Sequence, residues 1–307
     1  MTTVQQVEGR PDPGMPGAGA RVPKRRRRGV FTPYLMTLPG VLWLLIFFAA
    51  PLFVMLSFTL YEGSIELGYV FNPDWTTTYA DALGSYDTQI IRSVLYGLVV
   101  TLSTLLVSFP AMYWIATRGG KRKNLYLLLI LLPFFTPFVI RILSWKFVLA
   151  DQGILLGTLK DIGLLPADYH ALATPFAVLA GMFYDFLPFM ALPLYVALER
   201  LDPALLEASS DLYATRRETF LRVTLPLALP GVFAGSLLTF IPSVGDFIHA
   251  ELLGGPEQTM VGNVIQRLLL VNGDFPTATA LALLLIVGIL IGIFAYARAL
   301  GTEELTG

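Results

Sequence analysis

The sequence predicts an all-α polytopic membrane protein with six transmembrane helices, and three observations carry that reading. Of 307 residues, 55% are hydrophobic and 14% charged, with a mean hydropathy of +0.67, against roughly 45–50% apolar and about 25% charged in soluble domains. Apolar stretches of about 20 or more residues, long enough for ~30 Å of hydrocarbon, recur at about 34–60, 91–117, 125–149, 172–198, 225–246 and 276–298. Lys and Arg are also sorted. Sixteen of the 21 fall in the tails, the 118–124 loop and the 199–224 loop, which six spans place on one side. By the positive-inside rule that side is the cytoplasm, so both termini face it.

Taken in order, residues 1–32 form a Gly-, Pro- and Gln-rich tail expected to be disordered, ending in the basic run Lys24 to Arg28. Because the apolar run that follows exceeds the ~7–15 residues of a signal-peptide core, it reads as an uncleaved anchor. A membrane domain occupies 33–300, and 301–307 is a short cytoplasmic tail. The five remaining basic residues, Arg92, Arg141, Lys146, Lys160 and Arg267, lie near the opposite ends or loops. A basic run beside a membrane span argues against nucleic acid as partner.

Composition also removes several chemistries. With no cysteine there are no disulfides, thiolate metal sites or cysteine nucleophiles. His170 and His249 are too few and too scattered for a metal site. Neither G-x-S-x-G nor H-E-x-x-H occurs, which argues against an intramembrane enzyme, and no G-x-x-x-x-G-K-[ST] loop is present to cradle ATP. A secondary transporter would be expected to show matching halves with broken helices, and none are visible.

The 199–224 loop is a polar island in this apolar chain. Asp202-Pro203 reads as an N-cap followed by proline at the first helical position, which starts a short helix running to about Leu212. Thr215-Arg-Arg-Glu218 reads as a capping box, so a second helix begins there and ends before Leu225-Pro226. From the residues alone, a capped chain reversal and a functional loop both stay open. A simple reversal needs only about 2–8 residues, and this loop is far longer.

The segment resembles the EAA loop of binding-protein-dependent ABC importer permeases. It reads Glu207-Ala208-Ser209, then Asp211-Leu212-Tyr213-Ala214, then Val223-Thr224-Leu225-Pro226. The glycine of the family pattern is replaced by Tyr213, which puts the turn geometry in question, since glycine accepts positive φ and tyrosine does so reluctantly. "NLYLLLILLPFFTPFVIRILSW" (124–145), "DQGILLGTL" (151–159), "LPFMALPLYVALERLDPALLEAS" (187–209) and "FIPSVGDFIHAELLGGPEQTMVGNVIQ" (240–266) resemble the spermidine/putrescine importer permeases of the first-permease type.

That resemblance implies a six-helix permease of the bacterial cytoplasmic membrane with an EAA-type coupling loop between helices 4 and 5. It implies Glu207, Ala208, Ser209, Asp211, Leu212, Tyr213, Ala214, Arg217, Leu225 and Pro226 as the contact with a cytoplasmic ABC ATPase dimer. ATP and Mg would sit on that ATPase, with no cofactor on this chain. A second, homologous permease would complete the path as a heterodimer, and an extracytoplasmic binding protein would deliver the solute. The implied solute is a polyamine; ferric iron, phosphonate or a sugar are alternatives on the same machinery.

Charges inside the bilayer cost about 2.5–3.5 kcal/mol on insertion scales and usually face protein or water. Asp185 is such a charge, read either as a contact for a cationic solute or as the partner of Arg141. Asp246 reads as a cation contact or a loop cap. Arg141 and Lys146 are expected to snorkel, pair or meet the binding protein. Phe183, Tyr184, Phe186 and Trp145 could cage an alkylammonium by cation–π attraction or serve as interface aromatics.

Overall fold

The computed structural model describes residues 31–299, with side chains from 37 to 298. Apart from residues 31 and 32, the two expected tails therefore lie outside the described residues. The chain divides into two compact units, 1–51 and 52–307. The first contributes α1 (Phe31–Leu44) and a wide π turn at Leu45–Ala49. That turn precedes Pro51, whose ring and missing N–H a regular α turn accommodates poorly.

The boundary falls within α2 (Ala50–Phe58), and the second unit continues with an antiparallel hairpin, β1 (Tyr61–Ser64) and β2 (Gly68–Phe71), paired Tyr61 to Phe71 and Ser64 to Gly68. Next comes α3 (Trp75–Arg118), 44 residues long and kinked at Tyr86, where φ is −127° and ψ 20°. Then follow α4 (Lys123–Leu131), α5 (Phe138–Val148), α6 (Ile154–Asp161) and α7 (Pro175–Glu199). The chain ends with α8 (Pro203–Asp211), α9 (Arg216–Thr219), α10 (Leu225–Val244), α11 (Ile248–Leu253), α12 (Val261–Arg267) and α13 (Phe275–Ala299). Among the described residues five helices are long and apolar enough to cross a membrane, or six if one bent pair counts as a single span.

That pair is the segment the sequence reads as one span at 125–149. The chain turns by 93° between Gly120–Phe135 and Phe138–Val148. The cause is local. Pro137 has no N–H to donate and its ring pushes the preceding residue out of the helical region, so Thr136 is extended at φ −92°, ψ 137°. A second difference lies at the other end of the polar loop. The helix expected to stop before Leu225-Pro226 instead runs on, Arg216–Val244 forming one 29-residue helix. A π turn at Phe220–Thr224, closed by the Leu225 N–H on the Phe220 carbonyl, widens the backbone just ahead of Pro226 and relieves the clash a proline makes there.

The scaffold is α7 packed against α10, with α3 lying on both and α13 on α3. Glycines allow the close approach. A Cβ on Gly231 would sit 2.5 Å from Ala197 Cβ and 2.9 Å from the Pro193 carbonyl oxygen, and one on Gly235 2.9 Å from the Met190 carbonyl oxygen. Gly231 and Gly235 are one helical turn apart, the small-xxx-small spacing by which membrane helices meet backbone to backbone. Thr174 caps α7 by accepting from Ala177 N, and Pro175 takes the first helical position, where its missing N–H costs nothing. Because the neighbouring atoms at Gly231 are backbone and cannot swing aside, Gly231→Val is expected to cost about 1–3 kcal/mol. The measurement is the thermal unfolding midpoint of the purified protein, where an unchanged value would show that the helices do not meet at this point.

Candidate functional site

Two places gather the residues that could do work, one inside the bundle and one in the polar loop. Inside the bundle, four ionisable side chains from separate segments meet. Arg141 of α5 brings Nε to 2.5 Å from Asp185 Oδ1, a charge-to-charge approach without an aligned hydrogen bond. The other carboxylate oxygen, Oδ2, is 3.1 Å from Nε2 of His249 on α11. Nδ1 of His249 is in turn 2.9 Å from Asp246 Oδ2, while Asp246 Oδ1 accepts from the His249 backbone N–H at 2.9 Å. Asp185 and His249 are 1% and 0% exposed, and Arg141 and Asp246 are also buried.

Both ring nitrogens of His249 face carboxylate oxygens, so two protons must be shared among the imidazole and its two carboxylate neighbours. With both on the ring, the cluster holds two positive and two negative charges and is neutral. Neutrality matters in this position, where an unmatched charge is expensive. Phe138 and Phe186 pack on the imidazole, with ring centroids 5.4 and 6.0 Å away.

The cluster borders a cleft made by the bend. One cavity of about 490 Å³ is lined by Phe134, Phe135, Phe138, Phe186 and Phe189 around Arg141 and Asp185. A neighbouring cavity of about 330 Å³ is lined by Tyr184, Trp145, Ser144 and Pro133, and shares Thr136 and Arg141 with the first. The Arg141 guanidinium carbon stands 4.6 Å from the Phe134 ring centroid, and its Nη1 donates to the Pro133 carbonyl at 3.1 Å.

The sequence-derived candidates are thus only partly brought together. Asp185, Phe186, Tyr184 and Trp145 border the cleft, Trp145 meeting Tyr184 edge-on at 5.5 Å. Phe183 lines neither cavity, and Asp246 stands behind His249 as its cap and partner. Arg141, the structural partner considered for Asp185, is in place, and Lys146 lies on an exposed face of α5. Sequence reasoning missed His249 as the centre of the cluster. It also missed Phe134 and Phe135, whose only signal was the crowding of Phe and Pro in "PFFTPF", and Phe189, which lies outside that run.

In the polar loop, Asp202 accepts from Ala204 N at 2.9 Å to start α8. Thr215 and Glu218 form a reciprocal capping box that starts α9. The Thr215 backbone N–H and hydroxyl both donate to Glu218 and hold its carboxyl below its ordinary value of 4.5. A lowered carboxyl pKa means the box is complete at neutral pH and is lost only as pH falls below that value. Between the helices Tyr213 takes φ +60°, the left-handed conformation that a glycine would favour. Its N–H bonds to Ser210 O at 2.9 Å and the Ala214 N–H to Ser209 O at 3.1 Å, the paired closure of a Schellman turn. The Ser209 hydroxyl then meets Thr219 Oγ1 at 2.9 Å, tying α8 to α9. Glu207, Ala208, Asp211 and Arg217 are exposed, and Leu212 and Tyr213 are 81% and 95% exposed, leaving an uncovered apolar tip.

The family described as "Binding-protein-dependent transport system inner membrane component" matches residues 113–299. The chain belongs to this family. It is 38% identical over 260 residues, 84% of this chain and 90% of the relative, to the spermidine/putrescine transport system permease protein PotB of Haemophilus influenzae. It is 34% identical to PotB of Escherichia coli K12, covering 85% of this chain and 94% of that one. A bacterial ABC transporter that imports the acidic polysaccharide alginate superposes with TM-score 0.67 at 21% identity, over 89% of this chain and 96% of that one. The MetNI methionine ABC transporter superposes with TM-score 0.54 at 19% identity, over 69% of this chain and 93% of that one. As a member of the family, the chain is a multi-pass inner-membrane permease subunit of an ABC importer, with a role in transport rather than catalysis.

Two outcomes follow from the geometry. Removing one partner of a buried pair costs ~3–5 kcal/mol because the other charge is left uncompensated. Asp185→Asn should therefore lower the thermal midpoint of the purified protein, and adding Arg141→Gln should restore part of it; strict additivity of the two losses would show that they do not interact. In the loop, Tyr213→Gly should gain about 1 kcal/mol by removing the side chain's penalty in the left-handed region, read as a higher melting midpoint or greater amide protection over 209–219.

Proposed function

We propose that this permease forms, with a second, non-identical permease, the membrane path of an ATP-driven polyamine importer. The observation that carries the substrate is the identity of 34–38% to spermidine/putrescine permeases over most of both chains. The cleft supports it chemically. Five phenylalanines around a buried carboxylate offer π faces and a counter-charge to an alkylammonium, each π contact worth about 0.5–2 kcal/mol.

In this reading both termini and the α8–α9 loop face the cytoplasm, where the exposed tip of Leu212 and Tyr213 with Glu207 docks on one subunit of an ABC ATPase dimer. ATP and Mg reside on that dimer. An extracytoplasmic binding protein hands the solute to the opposite side. Ferric iron, phosphonate and sugars remain competitors as cargo, and the binding protein makes the first selection among them.

The test is uptake by proteoliposomes that hold this chain with its sister permease, its ATPase and its binding protein. Labelled 1,4-diaminobutane or spermidine should enter in an ATP-dependent way; uptake of an anion or a neutral sugar in its place would overturn the substrate. Glu207→Arg should abolish or uncouple transport by more than tenfold while membrane insertion persists, because the change lies outside hydrocarbon. Normal uptake and normal ATPase retention in that variant would remove the docking role from α8. Purification of an active complex with two copies of this chain and no sister permease would overturn the heterodimer.

A further inference from the structure

We propose that Arg141 is a resident stand-in for the cargo: its guanidinium occupies the place beside Asp185 that an organic ammonium group takes when the cleft is loaded, and the two exchange. The proposal rests on the cationic-cargo reading given above and adds to it a specific counter-ion and a specific competitor.

The Asp185 carboxylate is held unequally. On one side, Oδ2 is braced by His249, which Asp246 grips through both its ring and its backbone N–H. On that side Phe138 packs edge-on and Phe186 at a tilt against the imidazole. On the other side, Oδ1 has only Arg141, close at 2.5 Å but without hydrogen-bond alignment. Arg141 and Asp185 both line the 490 Å³ cavity, whereas His249 and Asp246 do not. The carboxylate therefore has a fixed back and a replaceable front.

The front already shows how a cation is received. The guanidinium carbon is 4.6 Å from the centroid of Phe134 and 5.7 Å from that of Phe138. A ring face and a carboxylate are the two groups a primary ammonium needs once it loses water. The cavity is within the ~300–1,000 Å³ of small-molecule sites. It would take a slender cation with an ammonium or guanidinium end.

Charge balance makes the exchange one for one. With no cation at its front, Asp185 would be a buried charge short of a partner, which the surroundings resist strongly. With Arg141 and a cargo ammonium both present, a positive charge would be left over in the same enclosure. Arg141 is also tied to the bend while it is paired with Asp185. It stands four residues beyond Pro137 on the second arm of the bend, and its Nη1 bond to the Pro133 carbonyl crosses from that arm to the first. When the guanidinium leaves Asp185, the same side chain releases the tie across the bend, so cargo occupancy is felt by the backbone of the broken span.

The test uses the assembled transporter in detergent, with Arg141→Gln in this chain and thermal midpoint as the readout. The midpoint should fall by roughly 5–10 °C. Millimolar 1,4-diaminobutane or methylguanidinium should then raise it by several degrees more than in the wild type, because the added cation fills the vacated place. The neutral isostere 1,4-butanediol should give no such difference, and neither cation should act on the Arg141→Gln, Asp185→Asn double variant. Equal shifts in wild type and Arg141→Gln would overturn the proposal. Should Arg141→Gln fail to assemble, millimolar methylguanidinium supplied during extraction should restore its assembly, and failure to do so overturns the exchange. The cargo reading fails separately, when wild-type proteoliposomes do not take up 1,4-diaminobutane although the rescue by methylguanidinium is seen.

Discussion

The arrangement depends on a neutral set of charges closed inside apolar surroundings. Arg141, Asp185 and His249 come from α5, α7 and α11, and Asp246 from the short segment between α10 and α11. α5 and α11, of 11 and six residues, are too short to cross a bilayer alone. Apolar contact gives such segments little orientation within lipid, because hydrocarbon competes equally for the same side chains. A directional, charge-assisted contact does give orientation, since every alternative leaves a carboxylate or guanidinium unmatched. The cluster therefore adds a directional tie of the two short segments to α7 beside the apolar core they share with it.

Backbone chemistry prepares that place. Proline appears at both departures from regular helix around the site, with opposite results. At Pro137 the preceding residue has become extended and the span breaks by 93°. At Pro226 a π turn absorbs the ring and the helix continues from the polar loop into the bundle. The first creates a cleft and supplies the arm that carries Arg141. The second creates a rigid connection, strengthened where Phe220 packs edge-on against Phe109 and Tyr113 of α3 at 5.4 and 6.4 Å.

How much of this was legible in the sequence follows the range of the interactions. Asp202, Pro203, Thr215 and Glu218 act on neighbours within three residues, and the two short helices begin where those residues predict. Long apolar runs were equally plain. Such runs do not report direction, so the 125–149 stretch reads as one span although the chain turns within it. The cluster was half legible: Asp185 and Arg141 stood out as charges in apolar segments, whereas the His249–Asp185 contact joins residues 64 apart in the chain. With only His170 and His249 in the chain, too few and too scattered for a metal site, nothing local marks His249 as the centre of a charge cluster. Tyr213 taught the reverse lesson. The loss of glycine suggested a changed turn, yet the backbone keeps φ +60° with the tyrosine side chain pointing free of the fold. The turn's hydrogen bonds to Ser209 and Ser210 outweigh a penalty of about 1 kcal/mol.

The two candidate sites are not independent, because one pair of helices carries both. α7 bears Asp185, runs 14 residues to its end at Glu199 and leads into α8; α10 enters the bundle directly from α9. At 1.5 Å per residue the carboxylate is about 21 Å from that end of α7. α8 and α9 are joined by the Ser209–Thr219 hydroxyl contact, and α7 and α10 meet through Gly231 and Gly235 with backbone against side chain and backbone. A displacement applied to α8 or α9 has few soft joints in which to dissipate before it reaches α7. The break in the helix is elsewhere, at Thr136 and Pro137, on the far side of the Asp185–Arg141 contact. Force transmitted along α7 and α10 would therefore be expressed as movement of the carboxylate relative to the arm that carries the guanidinium, which is the contact that borders the cleft.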